Sequence, residues 1–271
     1  MIQDILPHVL YNQYDPAAMP EQEDWVLCFD GQQLLLGPEG QFPRVSELGA
    51  EGCTYLFKVD GERYFLKSCP SSPPVGFSFQ DVKQLRREQK LSKERSFAVF
   101  TGKHLSDWYR DTRFCGRCGR KMVHSDTERA RKCPVCGYTA YPRIMPAVIV
   151  GVKNGDRLLL TRYRTGFAHN ALIAGFTEIG ETAEQTVQRE VMEEAGIRVK
   201  NIRYYASQPW GIANDLLLGY FCELDGDDTI HMDENELKYA QWVSREDIQL
   251  QPDDFSLTNE MMARFKSGEE P

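Results

Sequence analysis

The sequence predicts a mixed α/β protein, of the α+β kind, with more than one domain. Three observations predict this fold class. Short apolar stretches separated by Asp-Gly turns occupy the first hundred residues and are typical of a β-rich module. Two Cys-x-x-Cys pairs follow, with the spacing of a small metal-bound unit. Beyond them, stretches with the periodicity of strands alternate with stretches that have the periodicity of helices.

Composition narrows the class of protein. The chain has 271 residues, 41% of them hydrophobic and 27% charged, so it can bury a core. Its net charge of −8 argues against tight, non-specific binding to nucleic acid, because that affinity comes from neutralising phosphates. No apolar run approaches the ~18 residues of a membrane span, and residues 1–14 lack the features of a signal peptide. We therefore expect a cytoplasmic protein with no membrane partner.

The N-terminal module is predicted to cover residues 1–110. Its expected strands are 25–29, 33–36, 55–59 and 64–67. From about Phe79 to Tyr109 the apolar spacing becomes helical. No residue pattern in this module indicates chemistry, so we expect it to serve packing or dimerisation.

Four cysteines define a second unit, predicted over residues 111–140. They are Cys115, Cys118, Cys133 and Cys136. Each Cys-x-x-Cys is a tight turn that aims two thiolates at one ion, and two such turns supply the four sulfurs that Zn²⁺ prefers. Because the protein fills all four positions, this zinc site is predicted to be structural. The remaining cysteines have no regular spacing and are expected to be reduced thiols: Cys28, Cys53, Cys69 and Cys222.

The zinc-binding unit is basic, although the whole chain is acidic. Its basic residues are Arg113, Arg117, Arg120, Lys121, Arg129, Arg131 and Lys132. Two interpretations are open. Arginines beside thiolates offset the negative charge of the cluster, and zinc ribbons also serve as nucleic-acid-binding modules.

A further α/β domain is predicted over residues 141–271. Its expected strands are 147–152, 157–163, 199–205, 216–223 and 239–243. Asn154-Gly155 predicts a hairpin between the first two, since both residues tolerate positive φ. A helix is predicted over 182–195, where it begins with a Thr-x-x-Gln capping box, and another over 257–266.

The first predicted helix of this domain carries glutamates on a face that should be apolar. Glu190, Glu193 and Glu194 lie at i, i+3 and i+4, so their side chains converge. Glu190 and Glu194 also continue the stripe of Ala183 and Val187, which should face the interior. Carboxylates there repel one another and are costly to desolvate, so the arrangement indicates bound hard divalent cations. For a Glu-rich helix taken alone, a solvated acidic face is the alternative.

The residues around this helix resemble the Nudix box, G-x5-E-x7-R-E-U-x-E-E-x-G-U, at every fixed position. They are Gly175, Glu181, Arg189, Glu190, Val191, Glu193, Glu194, Gly196 and Ile197. The resemblance implies a Nudix α/β/α sandwich with a mixed sheet and a metal-dependent hydrolase. It implies Mg²⁺ or Mn²⁺ held by Glu190 and Glu194, with Glu193 and Glu181 assisting. Arg189 would orient the glutamates, and Glu190, Glu193 and Glu194 are the predicted catalytic residues.

A zinc ribbon that follows a β-rich module and directly precedes a Nudix domain is similar to the NADH pyrophosphatase family. The resemblance implies hydrolysis of the diphosphate bond of NAD(H) to NMN(H) and AMP, and removal of NAD caps from RNA. It implies the dinucleotide NAD(H) and NAD-capped RNA as partners, and a homodimer. The likeness covers most of the chain and is strongest over residues 97–243.

The same resemblance assigns substrate and metal contacts to individual residues. Glu128 and Tyr141 are implied to contact the substrate, and Phe176 is implied to be the surface on which the nicotinamide stacks. The carbonyl of Ala174 and the carboxylate of Glu236 are implied to complete the metal site. For Glu236 considered alone, a surface acid is the simpler interpretation.

One segment departs from the family pattern S-Q-P-W-P-F-P-x-S. This chain reads Ser-Gln-Pro-Trp-Gly-Ile-Ala-Asn-Asp over residues 207–215. Gln208, Pro209 and Trp210 match the pattern and are predicted to bind substrate. The aromatic residue and both later prolines of the pattern are absent from this chain. Asp215 occupies the position of the final serine of the pattern. Asp215 is a predicted substrate contact that would repel phosphate unless a cation intervenes, so strict preference for NAD(H) is open.

Three functions are therefore considered. The first is an NAD(H) diphosphatase. The second is a Nudix hydrolase of another nucleoside diphosphate derivative, such as ADP-ribose, another dinucleotide or a capped RNA end. The third is a nucleotide- or RNA-binding protein without catalysis, against which the presence of all the metal-binding glutamates argues.

Overall fold

The computed structural model divides the chain into two compact units. The described residues are 1–164, 169–235 and 237–270. The N-terminal unit comprises residues 4–143 and 211–214, and the C-terminal unit comprises residues 1–3, 144–210 and 215–271. The four zinc-binding cysteines thus lie in the same compact unit as the β-rich module. Within the described ranges, none of the helices combines the length and the apolar character needed to cross a bilayer.

Two small sheets and three helices form the first part of the N-terminal unit. The elements are β1 (Leu10–Tyr11), β2 (Trp25–Leu27), β3 (Phe29–Asp30), β4 (Gln33–Leu36), α1 (Val45–Leu48), β5 (Thr54–Val59), β6 (Glu62–Leu66), β7 (Ser78–Asp81), α2 (Val82–Arg87) and α3 (Lys93–Asp111), with a 3₁₀ turn at Pro38–Gly40. One sheet has the order β1-β5-β6-β2 and the other the order β3-β4-β7. Three of the four strands predicted here are present, with bounds that differ by a few residues. The predicted strand 25–29 is instead divided at Cys28 into β2 and β3, which belong to different sheets.

The helical stretch predicted from about Phe79 is wrong at its beginning. Residues Ser78–Asp81 pair with Gln33–Leu36 as the strand β7. Asp81 then accepts a hydrogen bond from the N–H of Gln84 at 2.9 Å and caps α2. Pairing with a strand that is distant in sequence therefore overrides the local apolar spacing.

The zinc-binding part of the N-terminal unit is a three-stranded antiparallel sheet. Its strands are β8 (Val123–His124), β9 (Arg131–Lys132) and β10 (Thr139–Ala140), in the order β10-β9-β8. The strands are only two residues long, so the sheet alone buries little surface. A metal site is what a unit of this size needs to hold one structure.

The C-terminal unit is built on one mixed sheet. Its elements are β11 (Met145–Asn154), β12 (Arg157–Tyr163), β13 (Ile173–Phe176), α4 (Ala183–Ala195), β14 (Val199–Trp210), β15 (Asp215–Leu224), β16 (Leu237–Ser244) and α5 (Leu257–Ser267), with a 3₁₀ turn at Arg245–Asp247. The sheet has the order β14-β15-β11-β12-β16, and β13 pairs with β11. The pairing of β11 with β15 is parallel and the other pairings are antiparallel. The predicted mixed sheet is confirmed.

The helices α4 and α5 cover opposite faces of this sheet. Successive side chains of a strand point to opposite faces. Val150 of β11 accordingly packs in one cluster with Val187 of α4, whereas Ile149 packs in another cluster with Met261 of α5. The architecture is the α/β/α sandwich that the sequence predicted.

Local signals place α4 where the sequence predicted it. The Thr182 hydroxyl accepts from the N–H of Gln185 at 3.3 Å, and the Gln185 side chain accepts from the N–H of Thr182 at 2.8 Å. Gly196 ends the helix with φ 68°. The predicted hairpin between β11 and β12 is also present, but Asn154 pairs with Arg157, so its turn residues lie one position further along the chain.

Candidate active site and zinc site

Arg189, in the middle of α4, binds three carboxylates at once. Its Nε and Nη2 donate to the two oxygens of Glu181 at 2.7 and 2.9 Å. Its Nη1 donates to Glu190 Oε1 at 2.7 Å and to Glu193 Oε2 at 2.9 Å. These are the distances of charge-assisted hydrogen bonds. The guanidinium therefore fixes the directions of three glutamates, as the sequence predicted.

Glu181 is held in its ionised form. The hydrogen bonds from Arg189 keep the pKa of Glu181 at about 2, and the N–H of Glu178 and the hydroxyl of Thr186 also donate to it. Glu181 in turn raises the pKa of Arg189. The pair stays charged at any physiological pH, so the positions of Glu190 and Glu193 do not depend on its titration.

The end of β13 lies directly against these carboxylates. A Cβ added at Gly175 would stand 2.0 Å from the Glu190 carboxylate, so only glycine fits there. Arg189 Nη2 also donates to the carbonyl of Phe176 at 2.9 Å. On the other side of Gly175, the hydroxyl of Tyr163 donates to the carbonyl of Ala174 at 3.5 Å. The predicted carbonyl ligand and the predicted carboxylate ligand thus flank one glycine.

Burial separates the glutamates of α4 into two kinds. Glu194 is 2% exposed and the side chain of Glu190 is 12% exposed, whereas that of Glu193 is 59% exposed. A solvated acidic face would not bury one of its three carboxylates and cover most of a second, because desolvating a charge is costly. Buried oxygens beside a peptide carbonyl are the ligands that hard divalent cations take, so the residues present fit Mg²⁺ or Mn²⁺.

The last predicted metal ligand, Glu236, lies outside the described residues, and its assignment stays a prediction. The chain shortly before it returns to α4. The N–H of Asp233 donates to the carbonyl of Glu194 at 3.0 Å. Leu237, the first residue of β16, is fully buried.

Three predicted substrate contacts share one face of the sheet. Phe176 is paired with Ala147, and Asp215 is paired with both Met145 and Trp210. Paired residues of neighbouring strands point to the same side, as do residues two apart along one strand. Phe176, Trp210 and Asp215 therefore point to the face that α5 covers, near the same end of β11. Phe176 is 51% exposed and can offer its ring to a ligand.

Asp215 is a buried carboxyl. It is 7% exposed, and within the described part of the chain its Oδ1 has no hydrogen-bond partner. Burial raises the pKa of Asp215 to about 7. Near neutral pH the group is thus divided between a neutral donor and a carboxylate, which moderates the repulsion of phosphate expected from the sequence.

Gln208 and Pro209 differ in whether their side chains are accessible to a substrate. The Gln208 amide donates to the carbonyl of Phe255 at 2.7 Å and accepts from the N–H of Leu257 at 2.7 Å. It is fully buried, so it anchors the beginning of α5. Pro209, the next residue along β14, points to the opposite face and is exposed.

The two predicted substrate contacts of the N-terminal unit lie together. The hydroxyl of Tyr141 donates to Glu128 Oε1 at 3.3 Å. The negative charge of Glu128 raises the pKa of Tyr141. Tyr141 is 59% exposed, so its ring is accessible.

Close packing accounts for part of the departure from the family pattern after Trp210. The family has proline at position 211, and this chain has glycine. A Cβ added at Gly211 would stand 2.0 Å from the carbonyl oxygen of Phe100, in the same unit. A proline ring would not fit at this approach. The change at 211 is therefore matched by the backbone that faces it.

The four cysteines form a site of the size that zinc needs. Their sulfurs all lie within 4.8 Å of one another, and the Cys115–Cys136 and Cys118–Cys133 sulfur pairs are 3.6 and 3.5 Å apart. Four sulfurs bound tetrahedrally at ~2.3 Å from zinc would be about 3.8 Å apart. Backbone amides of Cys136 and Val135 lower the pKa of Cys133 to about 6, which favours the thiolate that a metal binds.

Some residues of the site were not identified from the sequence. Thr186 and Tyr163 touch Glu181 and Ala174, respectively. Thr186 lies five residues after Glu181, which is a spacing that a helix and its preceding loop bring together. Tyr163 comes from another strand, and no sequence signal connects it to Ala174.

Comparison with known proteins also identifies a zinc ribbon followed by a Nudix domain. The model of the NUDIX domain matches residues 143–265, and that of the NADH pyrophosphatase zinc ribbon domain matches residues 110–141. The chain is 44% identical to the NAD-capped RNA hydrolase NudC of Citrobacter koseri over 235 residues, which cover 84% of this chain and 87% of the relative. The alignment with the protein of that name from Shigella flexneri, also 44% identical, spans 56% of this chain and 59% of the relative.

A solved structure supports the fold. The NUDIX hydrolase from Nitrosomonas europaea superposes with a TM-score of 0.50 and 22% identity, over 57% of this chain and 90% of that one. At this identity the likeness concerns the fold alone. Together with the 44% identity over most of the chain and the matched ribbon and NUDIX models, it leads to one conclusion. The chain belongs to the NADH pyrophosphatase family of Nudix hydrolases, with a zinc ribbon before its Nudix domain.

Proposed function

We propose that this protein hydrolyses the diphosphate bond of NAD(H), giving NMN(H) and AMP, and that it also removes NAD caps from RNA. The observation that carries the proposal is the Arg189 clamp, which holds three carboxylates against the end of β13. Relatives over most of the chain are named NAD-capped RNA hydrolase, which supports the substrate class.

The residues of the clamp, together with Glu194 and Ala174, have different roles in the reaction. Glu190 and Glu194, whose carboxylates are less exposed than that of Glu193, and the carbonyl of Ala174 would hold Mg²⁺ or Mn²⁺. Such ions neutralise the diphosphate and lower the pKa of a bound water when present. Glu193 is the exposed carboxylate, so we assign it the proton that water loses as its oxygen attacks phosphorus and the bridging P–O bond breaks. Glu181 keeps Arg189 in place throughout.

Exposed groups in each of the two units support a dinucleotide substrate. Phe176 is half exposed beside the metal-binding carbonyl, where a nicotinamide ring can stack on it. Tyr141 and Glu128 offer a hydroxyl and a carboxylate of the kind that bind ribose hydroxyls or base amino groups. These contacts are part of the proposal.

A second candidate substrate class follows from the segment after Trp210. Gly211 and Asp215 replace the residues with which the family pattern is associated, and Asp215 is buried with a raised pKa. These replacements favour ADP-ribose or another nucleoside diphosphate derivative as the second candidate substrate. The bond broken would be the same.

Product analysis separates these candidates. The purified protein is incubated with NADH, NAD⁺, ADP-ribose, FAD and NAD-capped RNA in the presence of Mn²⁺, and the products are resolved by chromatography and mass spectrometry. We expect NMNH and AMP from NADH, and 5′-monophosphate RNA from the capped transcript. Release of AMP from ADP-ribose with no NMN(H) from either nicotinamide dinucleotide would favour the second candidate. No hydrolysis of any substrate would favour the binding protein.

We propose further that the protein acts as a homodimer in the cytoplasm. None of the eight cysteines, all of which lie in the described residues, forms a disulfide, which suits a reducing compartment. Sedimentation equilibrium tests the dimer. A single species at the 31.1 kDa of one chain would contradict it.

A further inference from the structure

The basic residues of the zinc ribbon differ in their surroundings in the structure. Arg129 is committed to packing, because its guanidinium donates to the carbonyl of Leu56 at 2.6 Å and lies over the ring of Tyr14. Arg113, Lys121 and Arg131 instead line a cavity of about 550 Å³ within the N-terminal unit. A size of this order is usual for sites that bind small molecules.

The cavity lies between four parts of the N-terminal unit. The strand β3 contributes Phe29 and Asp30, the residue after β6 is Lys67, and α3 contributes Tyr109 and Arg110. The ribbon completes the wall with Arg113, Phe114, Lys121, His124 and Arg131. Five Lys and Arg side chains therefore face one carboxylate, in a chain whose acidic residues outnumber its basic ones by 40 to 32.

The acidic residues do not neutralise this lining. Among the described residues, only Arg110 of these five forms ion pairs with carboxylates, those of Asp107 and Asp111. Lys67 donates to backbone carbonyls, those of Gly49 and Glu51. A concentration of uncompensated positive charge in a concave surface attracts anions and raises their local concentration.

Arg131 is the most informative residue of the lining. It is 7% exposed and its Nη2 donates to the carbonyl of Met122 at 2.9 Å. Within the described ranges its Nε has no hydrogen-bond partner, and no carboxylate forms an ion pair with it. A buried guanidinium normally has an anionic partner, because its desolvation is costly otherwise. At the edge of this cavity the partner can be a ligand.

Aromatic rings accompany the charges. The rings of Tyr109 and His124 lie 5.2 Å apart, and the guanidinium of Arg113 lies 5.9 Å from the ring of Phe114. Phe114 is 57% exposed although it is apolar. Planar guanidinium groups bind phosphate with two hydrogen bonds, and exposed aromatic rings stack on bases. The cavity therefore contains groups that bind phosphate and a ring that can stack on a base, which are the two parts of a nucleotide.

We propose that this cavity is a second ligand site, which binds a nucleoside phosphate through Arg113, Lys121 and Arg131, with Phe114 as the stacking surface. The nucleoside phosphate can be a free nucleotide or one unit of an RNA strand. The site is distinct from the glutamates of α4 and contains none of the residues assigned to hydrolysis.

A charge-reversal experiment tests the site. Binding of ADP and of an eight-nucleotide single-stranded RNA with a 5′-hydroxyl is measured by calorimetry without added divalent cations, so that the Nudix glutamates contribute least. The variant Arg113→Glu/Lys121→Glu is compared with Arg117→Glu/Arg120→Glu, which changes the net charge equally. Arg117 and Arg120 are exposed ribbon residues that do not line the cavity. We expect the first variant to bind at least about tenfold more weakly and the second to bind like the wild type.

The outcomes are distinct. Tighter binding of ADP than of RNA identifies a free nucleotide as the ligand, and the reverse identifies a strand. Equal weakening by both variants, or no saturable binding by the wild type, would overturn the proposal. Zinc content and NADH hydrolysis are measured in every variant and should be unchanged. Loss of hydrolysis in the wild type would count against the proposed function only, and loss of zinc in the cavity variant would direct the test to Phe114→Ala.

Discussion

The zinc ribbon and the Nudix helix hold metal-binding groups in opposite ways. The ribbon brings four sulfurs within 4.8 Å of one another, and no further group has room in a tetrahedral shell. On α4, Arg189 holds Glu190 and Glu193, and the exposure rises from the buried Glu194 through the partly buried Glu190 to the exposed Glu193. Within the described ranges, the cysteines alone form a cluster of that closeness. This difference distinguishes a structural metal site from a reactive one. In the structural site, the protein ligands fill every coordination position. In the reactive site, the guanidinium of Arg189 separates the carboxylates, so that substrate and water can enter.

The largest effect is expected from opening the closed site. Replacing Cys133 by serine removes the thiol with the pKa of about 6 and leaves three sulfurs. Structural zinc is worth on the order of 10 kcal/mol in isolated zinc fingers, so we expect loss of stoichiometric zinc and local unfolding of the ribbon. Zinc is measured by plasma mass spectrometry and folding by urea titration. Cys53→Ser, outside the cluster, is the control, and full zinc content in Cys133→Ser would contradict the prediction.

The next largest effect is expected at the open site. Glu194→Gln keeps the shape of a buried side chain but removes its charge. We expect kcat for NADH to fall about 10³-fold, which corresponds to ~4 kcal/mol, while the melting temperature changes little. Glu184→Gln, exposed in the first turn of the same helix, should retain full activity. Undiminished hydrolysis by Glu194→Gln would overturn the catalytic assignment.

A smaller effect is expected when the separation of the glutamates is disturbed. Lysine in place of Arg189 keeps the charge, but one ammonium cannot donate along the directions of Glu181, Glu190 and Glu193 together. We expect kcat to fall by about 10² and the Mn²⁺ concentration for half-maximal activity to rise. Kinetics at a series of Mn²⁺ concentrations measure both quantities. Arg198→Lys, just beyond the helix, should behave like the wild type, and a normal Mn²⁺ dependence in Arg189→Lys would show that the clamp is not needed.

The smallest effect concerns the buried acid of the substrate face. Burial raises the pKa of Asp215 from 3.8 to about 7, so the folded protein binds the proton more tightly than the unfolded chain. Stability is therefore lost as pH rises from about 4 to about 7, and Asp215→Asn should escape this loss, by at least about 1 kcal/mol at pH 8. Urea unfolding at pH 4.5, 6 and 8 measures it, with Asp247→Asn, an exposed site, as the control. Parallel pH profiles for wild type and Asp215→Asn would contradict the raised pKa.

Much of the site was predictable because its signals are local. The capping box of α4, its stop at Gly196 and the i, i+3, i+4 spacing of the glutamates all lie within one short segment. The spacing of the four cysteines likewise predicts their turns. Such signals depend on backbone geometry over a few residues, and tertiary contacts seldom change them.

The rest depended on contacts between distant segments. Ser78–Asp81 became a strand because β4 offered it an edge. Tyr163 reaches Ala174 only because β12 and β13 both lie beside β11. The cavity of the N-terminal unit combines residues from β3, α3 and the ribbon, which no spacing rule connects.

The sequence by itself determined the chemistry: which atoms can bind zinc, which can bind hard divalent cations, and the order in which they occur along the chain. These follow from residue type and spacing. Tertiary structure alone decided that Glu194 is buried while Glu193 is exposed, that Phe176, Trp210 and Asp215 share one face, and that Arg131 meets a cavity. The physical reason is that burial and facing depend on what packs against a residue, and that partner is set by the fold of the whole chain.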